Sequence, residues 1–272
     1  MNAYEDLTYE VRERIGFITL SRPDRLNALS GPMIAGTARA LAAATEDEEV
    51  RAVIITGAGR GFCSGQDLSG PRTIADGPAP PPDRPPSIAD RRYNLRAIQR
   101  IGRTVQQLDK PYIAAVNGPA AGAGMDLASM ADIRFAAKDA RFTQAYTRNG
   151  IVPGNGGCYF LPRIVGMARA LELMWTSRTF DADEALAIGY VSRVVETEKL
   201  MDEAMAFAKE LAAGPPVAVQ YIKQLAYKSQ DVDLDTALRM AQYMQTIATS
   251  TEDAREGPRA FRERRPPQFT GR

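Results

Sequence analysis

The chain has 272 residues, with 34 Lys and Arg against 33 Asp and Glu, for a formal charge of +1. That length builds one large domain, or a core with an appendage, around a sizeable interior, and the near-neutral balance gives no reason to expect nucleic acid or an anionic membrane as partner. Histidine is absent, which excludes Ser-His-Asp triads, Cys-His pairs and His-ligated zinc and leaves proton transfer to Asp, Glu, Tyr, Lys or water.

In chain order, Leu7 to Val11 and Ile15 to Leu20 read as strands. Ser21-Arg22-Pro23-Asp24 is a turn signal. Ser30 then caps an amphipathic helix carried by MIAGTARALAAATED. Ala52 to Thr56 is a near-continuous apolar run, the pattern of a strand covered on both faces. It leaves through GRGFCSGQDLSG, Gly59 to Gly70, a loop with four glycines. Pro71 to Asp90 contains PAPPPDRPP, which excludes helix and central strand. It reads as a surface insertion, either a tolerated loop or a flap beside a ligand site. Asn94 to Leu108 has helical spacing and ends at Lys110-Pro111. Tyr112 to Val116 is a further buried strand, followed by a glycine-rich loop at 117–124, a helix from Met125 to Ala131 and a strand near Ile133 to Ala136. Strand, glycine loop and helix thus recur twice, which is an α/β alternation.

After Val195 the pattern becomes helical, with segments over Glu198 to Ala213, Pro215 to Lys228 and Leu234 to Thr249. The expected organisation is an α/β core over 1–195 and a helical region over 196–272. The apolar stripes Met201, Met205, Phe207, Leu211 and Met240, Met244 suit a core or a subunit interface. No apolar run reaches the roughly 18 residues of a membrane span, and the charged N-terminus lacks the apolar centre of a signal peptide. Cys63 and Cys158 form no disulfide framework and no thiolate metal site, so a cytoplasmic location with reduced thiols is expected.

The two glycine loops carry the chemistry. Glycine lets backbone N–H groups approach a ligand without a Cβ in the way, and a strand–loop–helix unit adds the positive end of the helix. Two such units can aim two N–H groups at one oxygen, an oxyanion hole suited to a thioester carbonyl becoming an enolate. Tight turns without a ligand would use the same glycines. A phosphate cradle fits less well. The first loop has no Lys-Ser/Thr after it, and the second lacks the G-x-G-x-x-G register.

Motifs spread along the chain resemble the crotonase, or enoyl-CoA hydratase/isomerase, superfamily. They are Arg22-Pro23-Asp24-Arg25-Leu26-Asn27-Ala28-Leu29, Gly61-Phe62-Cys63-Ser64-Gly65-Gln66-Asp67-Leu68, and Lys110-Pro111 with Ala114-Ala115-Val116-Asn117-Gly118. Gly150-Ile151-Val152-Pro153-Gly154 with Gly156-Gly157, Gly189-Tyr190-Val191, and Glu256-Gly257 with Ala260-Phe261 continue the match. The resemblance implies a spiral of repeated ββα units with a C-terminal helical region, assembled as a homotrimer or dimer of trimers. The implied ligand is an acyl-CoA thioester, with no permanently bound cofactor. The implied hole donors are the backbone N–H groups of Gln66 and Ala123, the second standing where glycine is usual. Implied CoA contacts are Arg25, Leu26, Ser64, Asp67 and Leu68, with Phe261 and Arg262 reaching the CoA of the same or a neighbouring subunit.

Hydratases of this family use two glutamates, and both positions differ here. Asp126 stands at the first, in the opening turn of a helix, where the dipole is expected to lower its pKa. Tyr146 stands at the second; with an ordinary phenol pKa near 10 it donates a hydrogen bond more readily than it acts as a base. A Tyr there also resembles the decarboxylase branch, for which Arg148 would be a partner to a substrate carboxylate. The resemblance therefore implies an enzyme of the hydratase/isomerase type. Decarboxylation, hydrolysis and acyl-CoA binding without catalysis are the alternatives.

Overall fold

The computed structural model describes residues 4–67 and 87–272. Two strands open the chain, β1 (Leu7–Arg12) and β2 (Ile15–Leu20), paired antiparallel with Arg12 opposite Ile15. The two-residue turn between them uses Glu13 and Arg14 at φ 52° and 64°, the left-handed pair that matches the twist of a tight hairpin. Helix α1 (Gly31–Glu46) starts as expected, with the Ser30 side chain accepting from the Met33 N–H. Strand β3 (Ala52–Gly57) follows, then α2 (Ile88–Gln107), β4 (Tyr112–Val116), β5 (Ala120–Ala121), α3 (Ala123–Ser129), β6 (Ile133–Ala137) and β7 (Arg141–Thr143). The chain continues through α4 (Gly157–Val165), α5 (Met167–Thr176), β8 (Thr179–Asp181), α6 (Ala182–Ala187) and β9 (Arg193–Val195). It closes with α7 (Leu200–Ala212), α8 (Pro216–Lys228), α9 (Leu234–Ser250) and α10 (Asp253–Glu263).

One sheet has the order β1-β2-β3-β4-β6-β9, parallel except at β1; a smaller one has the order β5-β7-β8. β3 and β4 are buried along their whole length, because helices cover both faces of the sheet. The period-2 alternation sorts their side chains. Val53, Ile55, Tyr112, Ala114 and Val116 join one core with residues of α1, α2 and α3. Ala52, Ile54, Ile113 and Ala115 join a second core with Ile15, Phe17 and Phe135. Leu200, Ala204 and Ala208 of α7, spaced four apart, close that second core. Met201, Met205, Phe207 and Leu211 pack against it, as expected of a core stripe.

Two expectations change. Helix α2 begins at Ile88 rather than Asn94, so the proline-rich segment ends earlier than Asp90. The reason is a capping box: Ser87 accepts from the Asp90 N–H while the Asp90 carboxylate takes the Ser87 N–H. Helix α3 begins at Ala123, two residues before the expected start. Leu68 and most of the proline-rich segment lie outside the described residues.

Candidate active site

The loop leaving β3 is held by amide side chains. Asn27 Nδ2 donates to the carbonyls of Ala58 and Gly61, and Asn117 Nδ2 donates to that of Gly59. The loop then runs alongside the one leaving β4: Phe62 and Cys63 N–H donate to Pro119 O, and Ala121 N–H to Cys63 O. Glycines permit this approach. A Cβ on Gly124 would lie 2.1 Å from Cys63 O, and Gly65, at φ 98°, would place one 2.8 Å from Ala121 O and 3.6 Å from Ala123 N.

Gln66 is bracketed by a short parallel pairing. Leu29 N–H donates to Gly65 O, and Asp67 N–H donates to Leu29 O. In such a pairing the amide of the middle residue points away from the partner strand. Ala123 opens α3, where first-turn amides have no acceptor inside the helix. Its φ is negative, so alanine sits there without left-handed strain; that conformation falls on Gly122, at φ 50°. Among the described residues, neither amide donates to a backbone carbonyl outside its own element.

Both residues line one cavity of about 520 Å³, together with Ser64, Gly65, Tyr146 and Asn155. Leu95 and Ile98 of α2 and Ile151 and Val152 of the loop before α4 give it an apolar wall. Arg25 and Leu26 are stitched to its edge: Ser64 Oγ donates to Arg25 O at 3.1 Å, and Ser64 N–H to Leu26 O at 2.9 Å.

Asp126 does not face the cavity directly. It is fully buried, and its carboxylate takes three donors. Gln144 Nε2 donates to Oδ1 at 2.9 Å, Tyr146 OH donates to Oδ2 at 2.5 Å, and the Gly157 amide donates as well. Burial nevertheless dominates and pushes its pKa up to about 6, with those hydrogen bonds opposing the shift. The expected lowering by the helix dipole is thus corrected: the carboxylate lies under α4 and the end of β7, and lost hydration outweighs the dipole. Burial and the neighbouring Asp126 charge raise the Tyr146 phenol strongly, so it keeps its proton. Tyr146 lines the cavity and Asp126 stands behind it.

Other expected site residues fall elsewhere. The Asp67 carboxylate is engaged by Arg22 Nη2 at 2.9 Å, an ion pair that ties the loop to the turn before α1. Phe261 is 85% exposed on α10 and lies outside the cavity lining. Arg148 is exposed and also outside it. The Cys63 thiol is buried, which raises its pKa to about 12 and makes it a packing group. Gln144, Asn94 and Asn155 were not anticipated. The alternation of Gln144 with Tyr146 at the end of a strand was the one available signal for Gln144.

The family sequence model described as Enoyl-CoA hydratase/isomerase matches residues 10–272. A 1,2-epoxyphenylacetyl-CoA isomerase of Escherichia coli is 39% identical over 98% of this chain and 99% of its own length. A short-chain-enoyl-CoA hydratase of Clostridium acetobutylicum is 37% identical over 94% of each chain. The crystal structure of an enoyl-CoA hydratase from Bacillus anthracis superposes with a TM-score of 0.90 at 32% identity, covering 98% of this chain and all of that one. Paired glycine loops, a shared cavity and full-length similarity agree: the chain belongs to the enoyl-CoA hydratase/isomerase family, the crotonase superfamily, whose members act on CoA thioesters.

Proposed function

We propose that this enzyme forms a thioester enolate and moves one proton through the Tyr146–Asp126 pair, isomerising an enoyl-CoA. The observation that carries this reading is the pair itself. Among the described residues lining the cavity there is no carboxylate, and Tyr146 is the group there that couples to a buried acid of pKa about 6. The acyl thioester lies with its carbonyl oxygen between the Gln66 and Ala123 amides. As the Cα proton leaves, charge gathers on that oxygen, where fixed N–H dipoles stabilise it without reorganising. The Tyr146 oxygen takes the Cα proton while the phenol proton passes to Asp126 Oδ2. The reverse transfer delivers a proton to the far carbon of the shifted double bond. One couple suffices for both transfers, whereas addition of water needs a group for the water proton as well as one for Cα.

Hydration is the second reading, favoured by relatives such as the 37% identical short-chain-enoyl-CoA hydratase. Decarboxylation keeps the resemblance carried by Tyr146 but not Arg148 as the carboxylate partner, because Arg148 stands outside the cavity lining, where Arg91 is the arginine present. Arg25, Leu26 and Ser64 would line the CoA path, and no resident cofactor is required. Exposed Leu234, Leu238 and Tyr243 on α9 and Phe261 on α10 suit a homotrimer, in which Phe261 would reach a neighbour's CoA. The region 196–272 would then supply both the second cover of the sheet and the assembly surface. No helix of the described residues is long and apolar enough to cross a membrane.

The test is a pair of substrates. With 3-hexenoyl-CoA, the conjugated 2-enoyl absorbance should grow, and in deuterium oxide the carbon that receives the proton should stay largely unlabelled, because Tyr146 returns the hydrogen it took from Cα. Rapid loss of crotonyl-CoA absorbance with 3-hexenoyl-CoA left untouched would reject isomerisation in favour of hydration.

A further inference from the structure

The Gln66 amide takes its direction from the bridge to Leu29, in which Leu29 N–H donates to Gly65 O at 2.7 Å and Asp67 N–H donates to Leu29 O at 3.1 Å. The leg that carries Leu29 returns from a one-turn 3₁₀ helix, Pro23–Arg25, through Leu26 and Asn27 at φ 48° and 54°. Two adjacent residues with side chains persist in the left-handed region only where their surroundings hold them there. Arg22 is placed to do so. Its N–H donates to Asn27 Oδ1 at 2.8 Å, and its carbonyl accepts from the Arg25 and Asn27 N–H groups. Its guanidinium then reaches past the reversal to both sides of the bridge. Nη1 donates to Ala28 O at 2.7 Å, and Nη2 donates to Asp67 Oδ2 at 2.9 Å. Ala28 precedes Leu29 by one residue and Asp67 follows Gln66 by one, so one planar group spans the two chains where the amide is set. The third nitrogen, Nε, lies 3.5 Å from Asp6 Oδ2, which also accepts from the Ser30 hydroxyl that caps α1.

We propose that Arg22 is a positioning residue of the oxyanion hole: by gripping Ala28 O and Asp67 together, its guanidinium sets both the direction and the electrostatic surroundings of the Gln66 N–H. The assignment rests on the two-amide hole proposed above. The first effect is geometric. A hydrogen bond weakens steeply as its angle closes, and a hole stabilises charge only if its donors are in place before the charge develops. The second is electrostatic. The Asp67 carboxylate stands one residue from Gln66, and its field opposes negative charge gathering on the thioester oxygen. Arg22 offsets that field at 2.9 Å, where the two side chains are 21% and 18% exposed and water screens them incompletely. A lysine would supply the charge without the fork, and could not hold both acceptors in one plane. Asp6 meets the same guanidinium without standing beside Gln66, which makes it an internal control.

Infrared difference spectra of bound hexanoyl-CoA, labelled with carbon-13 at the thioester carbonyl, read the hole without turnover; kcat with 3-hexenoyl-CoA reads its effect on the reaction. In the wild type the carbonyl band should lie below its position in the free thioester. Arg22→Met should move the band back toward that position and lower kcat by about ten- to a hundredfold, less than the loss of a whole donor, with KM within about threefold. Arg22→Lys should fall between the two. Asp67→Asn removes the opposing charge along with the pair, so it should move the band less than Arg22→Met. Asp6→Asn should lower the thermal midpoint and leave the band and kcat in place. A band that keeps its wild-type position in Arg22→Met, or shifts of equal size in Asp6→Asn and Asp67→Asn, would reduce Arg22 to a structural tie and overturn the assignment. Should Arg22→Met fail to fold, the contrast between the two aspartate variants decides alone. If the band moves as expected while 3-hexenoyl-CoA is not isomerised, only the proposed reaction falls. A wild-type band at the free position, or no binding of hexanoyl-CoA, would remove the hole itself and this role with it.

Discussion

At the scale of single residues, the proposed proton path separates two roles that one carboxylate often combines. Tyr146 lines the cavity and donates to Asp126 behind it; in the proposed path Asp126 would store the proton. Tyr146→Phe should lower kcat by about 10²- to 10⁴-fold and leave thioester binding nearly intact, as stopped-flow turnover and calorimetry together would show. The Asp126 pKa of about 6 sets a pH limb. Below it the carboxylate is protonated and cannot take the phenol proton, so kcat/KM should fall as pH drops through about 6, and Asp126→Asn should abolish that limb along with most of the rate. The same shift has a stability sign. A folded pKa raised from 3.8 to about 6 means that protonation favours the folded state. The contribution is full below pH 3.8 and lost as pH rises through about 6. Relative to Asp126→Asn, the wild type should therefore lose on the order of 3 kcal/mol between pH 3.5 and pH 7, read from urea midpoints. Both residues were visible in the sequence as motif positions. That one hides behind the other was not, because burial of Asp126 comes from Gly157 and Gln144, 31 and 18 positions away along the chain.

At the scale of elements, the site depends on two loops touching along their backbones. Gly124→Ala puts a methyl 2.1 Å from Cys63 O, a backbone atom that cannot swing aside. We expect a loss of about 3 kcal/mol in unfolding free energy, and a fall in activity beyond what that instability explains. The strands β2 and β4 were legible to the residue, since each is a continuous apolar run between turn signals. The two- and three-residue strands β5, β7 and β8 and the short helices α4 and α6 were not, because they are shorter than the window in which periodicity can be read. The early start of α2 was legible in principle. Ser87 and Asp90 are spaced as a capping box, but the prolines before them drew the boundary too late.

At the scale of the molecule, α8 and α9 contain no fully buried residue and display Ile222, Leu234, Leu238 and Tyr243. Exposed apolar surface of this extent marks an interaction site. Leu238→Glu with Tyr243→Glu should shift sedimentation velocity from the proposed trimer toward monomer, and leave the circular dichroism of the core unchanged. The partition of the sheet into two separate cores reaches further. Along β3, neighbouring positions answer to different halves of the protein. Trimming Ile55 to valine loosens the layer beneath the catalytic pocket, whereas trimming Ile54 loosens the bed of α7. Odd and even sites on one strand thus form two independent channels of variation. Evolution or an engineer can retune substrate handling through one parity while leaving the other to govern how the helical region is seated.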